Sequence, residues 1–235
     1  MNILALETST EYCSVALWQD GVVTEKNQLV GQKHSELLME MLDAVLKAAG
    51  CKIRDMHGIA FGAGPGSFTG VRIACGVTQG LALGANLPVL GIVTLQALAE
   101  ASLQGREQGK VIAAIDARMA EVYFAVYEKR DGQWLTVCEP CLCLPQNTPA
   151  VEGGGWLGAG SGFAAHGPLL QQRYAGQLAA VNAASVPQAS AIAILAAPMF
   201  AAGGGLDAAD AMPLYLRDKV ALKTSEREAA ARNAL

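Results

Sequence analysis

Glu7 and Asp116 each close a nearly continuous apolar run, Ile3-Leu-Ala-Leu6 and Val111-Ile-Ala-Ala-Ile115. Three hydroxyls, Thr8, Ser9 and Thr10, follow the first carboxylate, and hydroxyls with backbone N–H groups suit phosphate. The plainer account is that both carboxylates end strands and the hydroxyls satisfy turn backbone groups. A glycine-rich element, Gly62-Ala-Gly-Pro-Gly-Ser-Phe-Thr-Gly70, suggests a second anion site, since N–H groups at a helix start attract negative charge. Its spacing matches neither G-x-G-x-x-G nor G-x-x-x-x-G-K-[ST], because no lysine follows the last glycine. A tight turn at Gly66 and an N-cap at Ser67 explain it more simply.

Nucleophilic and acid–base catalysis find little support. There is no Gly-x-Ser-x-Gly elbow, and His34, His57 and His166 stand in no motif that places them beside a nucleophile or carboxylate. They form no i, i+4 metal pair either. Cysteines at 13, 51, 75, 138, 141 and 143 lie mostly in apolar runs and are expected to be reduced, buried, small hydrophobes. Cys138-x-x-Cys141-x-Cys143 has the closeness of a zinc or iron–sulfur half-site but lacks a second ligand pair. On a regular strand Cys141 and Cys143 share a face while Cys138 points away, so no metal is expected.

Composition limits what such residues can serve. The chain's 235 residues suffice for one large domain or two small ones, and 52% apolar against 16% charged residues excludes a disordered chain. A net charge of −4 and an isoelectric point near 5.4 provide no basic stripe for autonomous nucleic-acid binding. The N-terminus has no basic region and no long apolar core. Apolar stretches over 81–93 and 189–202 are broken by Pro88 and Pro198 and fall short of the roughly 20 residues of a bilayer span. A soluble cytoplasmic protein without membrane attachment is expected.

The elements that hold these residues follow from periodicity. A strand over 2–7 leads to alternation over 12–18, with Cys13, Val15 and Leu17 on one face, and Asp20-Gly21 turns the chain into a strand over 22–27. Leu37, Leu38, Met41, Leu42, Val45 and Leu46 recur at helical spacing over 33–49, with Gly50 just beyond. A strand over 58–63, a helix from the glycine-rich loop to about residue 84, a strand over 89–93 and a helix over 95–103 follow. The order then recurs, with strands over 111–115 and 122–127, an Asp131-Gly132 turn and a strand over 134–138. Trp156-Leu157 runs into Gly158-Ala-Gly-Ser-Gly162 before a helix. Two related α/β halves, 1–105 and 106–235, account for the repetition, and the tail over 216–235 reads as a frayed, solvated helix.

Gly76, Gly80 and Gly84 leave one face of the second helix without side chains. Each glycine costs about 1 kcal/mol relative to alanine, so a close contact is the expected compensation. On the first helix Met39 and Ala48 widen the apolar arc beyond what covering a sheet requires. A right-handed crossover sets both helices side by side, as half of a four-helix bundle. Left uncovered, such a face favours a twofold homodimer. The alternative is that both helices only cover the sheet.

A strand, a hairpin and a carboxylate, each present twice, resemble the actin-like ATPase fold of acetate and sugar kinases, heat-shock protein 70 and actin, although fold does not fix function. That resemblance implies ATP or ADP held between the halves, with magnesium at the carboxylates. Glu7 and Asp116 are then the carboxylates, Thr8, Ser9 and Thr10 the hydroxyl donors, and Gly158 and Gly160 the backbone under the base.

Six stretches carry a narrower resemblance. They are Ile3-Leu-Ala-Leu-Glu-Thr-Ser-Thr10, Cys13-Ser-Val-Ala-Leu17, His34-Ser-Glu-Leu-Leu38, Gly62-Ala-Gly-Pro-Gly-Ser-Phe-Thr-Gly-Val-Arg-Ile73, Asp116-Ala-Arg-Met-Ala-Glu-Val-Tyr123 and Pro213-Leu-Tyr-Leu-Arg217. Together they are similar to the TsaB (YeaZ) family. The resemblance implies a duplicated actin-like fold and a role in forming N6-threonylcarbamoyladenosine beside the anticodon of tRNAs that read codons beginning with A. It implies a noncatalytic partner of a metal-binding TsaD-like transferase beside a TsaE-like ATPase; the uncovered helix face adds the expectation of a homodimer when alone, and the low isoelectric point that of contact with tRNA only through the complex. The resemblance implies docking through helices of the N-terminal half, and the faces read above make the expected docking residues His34, Leu37, Leu38, Met41, Leu42 and Val45 on the first helix and Ile73, Gly76, Val77 and Gly80 on the second. The competing function is a nucleotide-dependent phosphotransferase or ATPase of the same fold. Ala120 departs from the glycine expected in many relatives, which bears only on the local hairpin.

Overall fold

β1 (Asn2–Glu7) is buried along nearly its whole length, as an apolar run without alternation requires. In the computed structural model, which describes residues 1–217, it pairs antiparallel with β2 (Tyr12–Gln19), and β2 with β3 (Val22–Leu29). Asp20 and Gly21 between them have φ of 47° and 95°, the positive values of a type I′ turn. α1 (His34–Ala48) crosses to β4 (Gly58–Gly64) and α2 (Phe68–Ala85) to β5 (Val89–Val93), which extend the sheet in parallel from β1. The order is β3-β2-β1-β4-β5.

The second half repeats the first. After α3 (Thr94–Leu103), β6 (Gly109–Asp116), β7 (Val122–Arg130) and β8 (Gln133–Cys143) form the meander. β9 (Trp156–Ala159), α4 (Ser161–Arg173) and β10 (Leu178–Asn182) form the parallel side. The order β8-β7-β6-β9-β10 matches the first sheet strand for strand, which is the duplicated actin-like ATPase fold. The frayed helix expected beyond residue 217 lies outside the described residues. No helix among the described residues is long and apolar enough to cross a membrane.

Helices and sheets alternate in layers. α1 and α2 cover the outer face of the first sheet, where Leu38, Val45 and Ala74 meet Leu4, Leu6 and Val15. α4 covers the outer face of the second, with Phe163 and Leu170 on Ile112 and Phe124. Between the sheets lie α3 and α5 (Ala189–Ala201), and there the halves exchange helices. α3 sets Leu95, Leu98 and Leu103 on Val111 and Ala113 of the second sheet. α5 sets Ala189, Ile192 and Ala196 on Ile3, Ala5 and Ala60 of the first. A boundary near residue 105 therefore marks the repeat in sequence, while the two cores interlock in space.

Polar groups fix this exchange. Ser14 Oγ accepts from Ala189 N (2.7 Å), and Glu25 Oε1 accepts from Ser190 N and from the Ser14 hydroxyl (both 2.9 Å). A carboxylate from β3 thus caps the positive end of α5. Under α3, Lys129 Nζ donates to both Glu100 oxygens (3.1 and 3.0 Å), and Trp134 Nε1 donates to one of them.

β8 departs from a regular strand in a way that corrects one expectation. Val126 pairs with Cys138, Phe124 with Cys141 and Val122 with Cys143, so two steps along β7 match three along β8. The extra residue is a β-bulge on an edge strand, where Pro140 can be accommodated. Because Val122, Phe124 and Val126 face the α4 core, their partners do too, and Cys138 lies on the same face as Cys141 and Cys143.

Candidate functional site

The loop between β4 and α2 lies directly against the chain that leaves β1. A Cβ on Gly62 would stand 2.0 Å from Glu7 Oε2, one on Gly66 2.6 Å from the Ser9 carbonyl oxygen, and one on Gly70 1.9 Å from the Thr8 carbonyl oxygen. Glycine is needed there for close approach. Ser67 N donates to the Ser9 carbonyl (2.7 Å), the Thr8 hydroxyl to the Gly70 carbonyl (2.7 Å), and Ser67 Oγ accepts from Gly70 N as the N-cap of α2.

This contact shuts Glu7 away. Its side chain is fully buried; Oε1 accepts from Ser9 N, and Oε2 has no partner among the described residues. Burial raises its pKa above the ordinary 4.5, against the lowering effect of hydrogen bonds from Ser9 and Thr8. Glu7, a cleft carboxylate only by the resemblance to the actin-like fold, is enclosed beneath Gly62, and Thr8 is buried beside it.

Asp116, its counterpart at the end of β6, does reach a cleft of about 1110 Å³ between the halves. Ser9, Thr10 and Ser67 line one wall, Asp116 and Ser161 the other. The carboxylate is already engaged. Oδ1 accepts from Arg118 N (3.1 Å) and lies 3.4 Å from His166 Nε2, and Oδ2 is 3.3 Å from Arg118 Nη1. Arg118, Met119 and Ala120 have φ of 61°, 56° and 59°, a left-handed turn that brings Arg118 back over Asp116.

Gly158 and Gly160 do not form a bare floor. A Cβ on Gly158 would stand 2.6 Å from the Phe163 ring, and one on Gly160 2.4 Å from the Ala114 carbonyl oxygen. Phe163 fills the space over Gly158, which corrects the expected seat for a base. Of the seven residues grouped as a nucleotide site, Ser9, Thr10 and Asp116 line the cleft, while Glu7, Thr8, Gly158 and Gly160 are closed off. Among the described residues no three His, Cys, Asp or Glu side chains come together to hold a metal ion.

The residues after α5 supply what periodicity does not reveal, a strap across the cleft. Leu214 N donates to the Ala63 carbonyl in the first half (2.7 Å), and Arg217 reaches Glu121 (2.8 Å) and the Ala117 carbonyl (3.0 Å) in the second. Tyr215 Oη accepts from Arg72 Nε (2.7 Å), and the Arg72 guanidinium lies 3.4 Å over the Phe68 ring. The only sequence signal was the Pro213-Leu-Tyr-Leu-Arg217 motif itself.

The other candidate surface is α2. Gly76, Gly80 and Gly84 are exposed, and a Cβ on any of them would meet nothing within 4 Å among the described residues. The close contact expected for this face is not made by any of the described residues. Leu83 is 75% exposed, and Ile73 and Val77 are half-buried. α1 contributes less than expected. Leu38, Met41, Leu42 and Val45 are buried in the core, and His34 is buried with Nε2 3.2 Å from the Tyr12 carbonyl oxygen. Their inclusion in a docking face is corrected: the apolar arc of α1 is used up against the sheet, leaving Leu37 half-buried and Met39 exposed at its edge.

Comparison with known proteins agrees with this architecture. The family model described as TsaD, tRNA N6-adenosine threonylcarbamoyltransferase, matches residues 15–224. Proteins called tRNA threonylcarbamoyladenosine biosynthesis protein TsaB from Escherichia coli (strain K12) and Haemophilus influenzae are 38% and 36% identical, each over 95% of this chain and over 97% and 96% of their own. The solved structure of YeaZ from Pseudomonas aeruginosa has a TM-score of 0.83 at 38% identity, covering 92% of this chain and 99% of that one. With motifs, fold and relatives in agreement, the chain belongs to the TsaB (YeaZ) family.

Proposed function

We propose that this chain serves the biosynthesis of N6-threonylcarbamoyladenosine in tRNA as a noncatalytic subunit that docks on a TsaD-like transferase and activates it. The observation that carries the reading is the bare α2 face. Gly76, Gly80 and Gly84 let another helix approach the backbone more closely than side chains allow, and Leu83 with Ile73 and Val77 offers apolar area to bury. A helix that carries three glycines without a neighbour among the described residues has its compensation elsewhere.

The cleft supports the same reading by what it lacks for phosphoryl transfer. Glu7 is enclosed, Asp116 is engaged by Arg118, and Phe163 stands over Gly158. Among the described residues no lysine lines the cleft to clamp a phosphate. On this reading a TsaE-like ATPase joins the assembly, tRNA is reached through the cytoplasmic complex because a net charge of −4 neutralises few phosphates, and the isolated chain pairs with its twofold copy through α2.

Mixing the chain with a purified TsaD-like subunit tests the reading, with complex mass followed by light scattering and modified nucleoside by chromatography. A stable complex is expected, with modification that needs both subunits. A transferase fully active alone, or magnesium-dependent ATP turnover by this chain alone, would overturn it.

A further inference from the structure

Phe68 and Arg72 stand four residues apart at the start of α2, and Gly76, Gly80 and Gly84 continue the same stripe. The strap comes back onto its first two positions. The Arg72 guanidinium lies 3.4 Å over the Phe68 ring and 5.3 Å from the centre of the Tyr215 ring, and the two rings are 6.1 Å apart. Arg72 Nε donates to Tyr215 Oη (2.7 Å). All three side chains are exposed. A solvated arginine normally loses much rotamer freedom when it binds, but here stacking and the hydrogen bond already fix the plane of the guanidinium.

Arg72 keeps donors to offer. Its terminal nitrogens, Nη1 and Nη2, have no acceptor among the described residues, where its hydrogen bond is the one to Tyr215. Arg118 and Arg217 of the neighbouring cleft are, by contrast, paired with Asp116 and Glu121. A cation near the positive end of α2 gains nothing for the fold from the helix dipole. Residues 68–85 contain no aspartate or glutamate, so α2 of a second copy has no carboxylate to bring.

We propose that Arg72, set in place by Phe68 and Tyr215, is the polar anchor of the α2 interface and pairs through both terminal nitrogens with an aspartate or glutamate on the docking helix of the TsaD-like transferase. The anchor rests on the reading of α2 as the docking face. Apolar burial beside Gly76 and Gly80 is non-directional, whereas two parallel N–H···O bonds to a carboxylate fix how far along the stripe the partner helix sits. Because the homodimer through α2 lacks that pair, Arg72 favours the transferase over self-pairing. A nucleic-acid phosphate fits less well, since Ile73 and Val77 beside the stripe are apolar and the nearby Arg118 and Arg217 are already neutralised.

The test uses the full chain and a purified TsaD-like subunit, with the complex followed by calorimetry and self-association by sedimentation. Arg72→Gln and Arg72→Lys should fold as the natural chain does by circular dichroism, because the side chain is exposed. Both should weaken the complex about ten-fold or more, lysine included, since a point charge cannot make two parallel bonds. The homodimer constant should stay within about two-fold. Tyr215→Phe keeps the ring, loses only the hydroxyl and should weaken the complex about three-fold. Added salt should weaken the natural complex more than that of Arg72→Gln. Replacing the transferase's surface carboxylates by amides, one at a time, should reveal one whose effect disappears when Arg72 is already glutamine. Full affinity of Arg72→Gln, an equal loss in the homodimer, a loss confined to tRNA binding, or no carboxylate coupled to Arg72 would overturn the anchor alone. A natural chain that forms no complex would overturn the proposed function and the anchor with it.

Discussion

Gly62 and Glu7 fit each other as backbone to carboxyl, since even a methyl group on Gly62 would stand 2.0 Å from Glu7 Oε2. The pair closes the end of β1 against the loop after β4, and it makes stability depend on pH. Burial raises the Glu7 pKa above 4.5, so the folded state keeps a proton that the unfolded chain releases. Stability from this group is complete below about pH 4.5 and is lost as pH rises through the folded pKa.

Glu7→Gln cannot ionise and should lack that slope. In urea unfolding at a series of pH values from about 4 to 8, the variant should gain on the natural chain as pH rises. A difference that stays flat with pH would mean that Glu7 is ionised in the fold. Gly62→Ala should destabilise at every pH, by about 1–3 kcal/mol from overpacking.

The Glu100–Lys129 pair ties α3 to the second sheet with both side chains nearly inaccessible, 5% and 7% exposed. Lys129→Met should cost about 3–5 kcal/mol, because it leaves a buried carboxylate with only Trp134 as donor. Glu100→Gln in the same chain should recover much of that loss. Arg130→Met, which breaks the surface pair with Glu128, should cause no measurable change. Equal urea midpoints for the two single variants would refute the distinction.

Local signals were legible in the sequence, and long-range ones were not. Asp20-Gly21 and Asp131-Gly132 could be read as hairpins because a dipeptide alone sets their positive φ. The stripe of Gly76, Gly80 and Gly84 was visible for the same reason, as a period within one helix. The enclosure of Glu7 depends on Gly62 from a different strand, and the orientation of Cys138 depends on which β7 residue it pairs with. The apolar arc of α1 looked wide enough for a partner because nothing in its spacing tells how deeply it sits on β1 and β2. β10 escaped notice since its exposed Ala179 and Ala180 make no alternating pattern.

Ala120 lies in the left-handed region at φ 59°, where its Cβ is penalised and glycine is not. Ala120→Gly should therefore raise stability, by up to about 1 kcal/mol once the greater freedom of glycine in the unfolded chain is subtracted. Thermal unfolding measures this directly. A lower midpoint in the glycine variant would show that the turn is held by contacts of the alanine methyl group.

The glycines of α2 separate the needs of the isolated chain from those of its assembly. With nothing among the described residues within 4 Å of a Cβ at position 80, Gly80→Ala should stabilise the monomer by about 1 kcal/mol through helix propensity. Gly80→Leu should likewise leave the fold intact by circular dichroism, since its side chain projects into open space. In a docked helix pair the same leucine would force the backbones apart, so the complex with the transferase and the homodimer should both weaken about ten-fold or more. Met41→Glu cannot serve this purpose, because Met41 is in the core and a buried charge there would unfold the chain before it reported on docking. A Gly80→Leu chain that melts higher yet binds the transferase at full affinity would remove α2 from the interface and leave the family membership untouched.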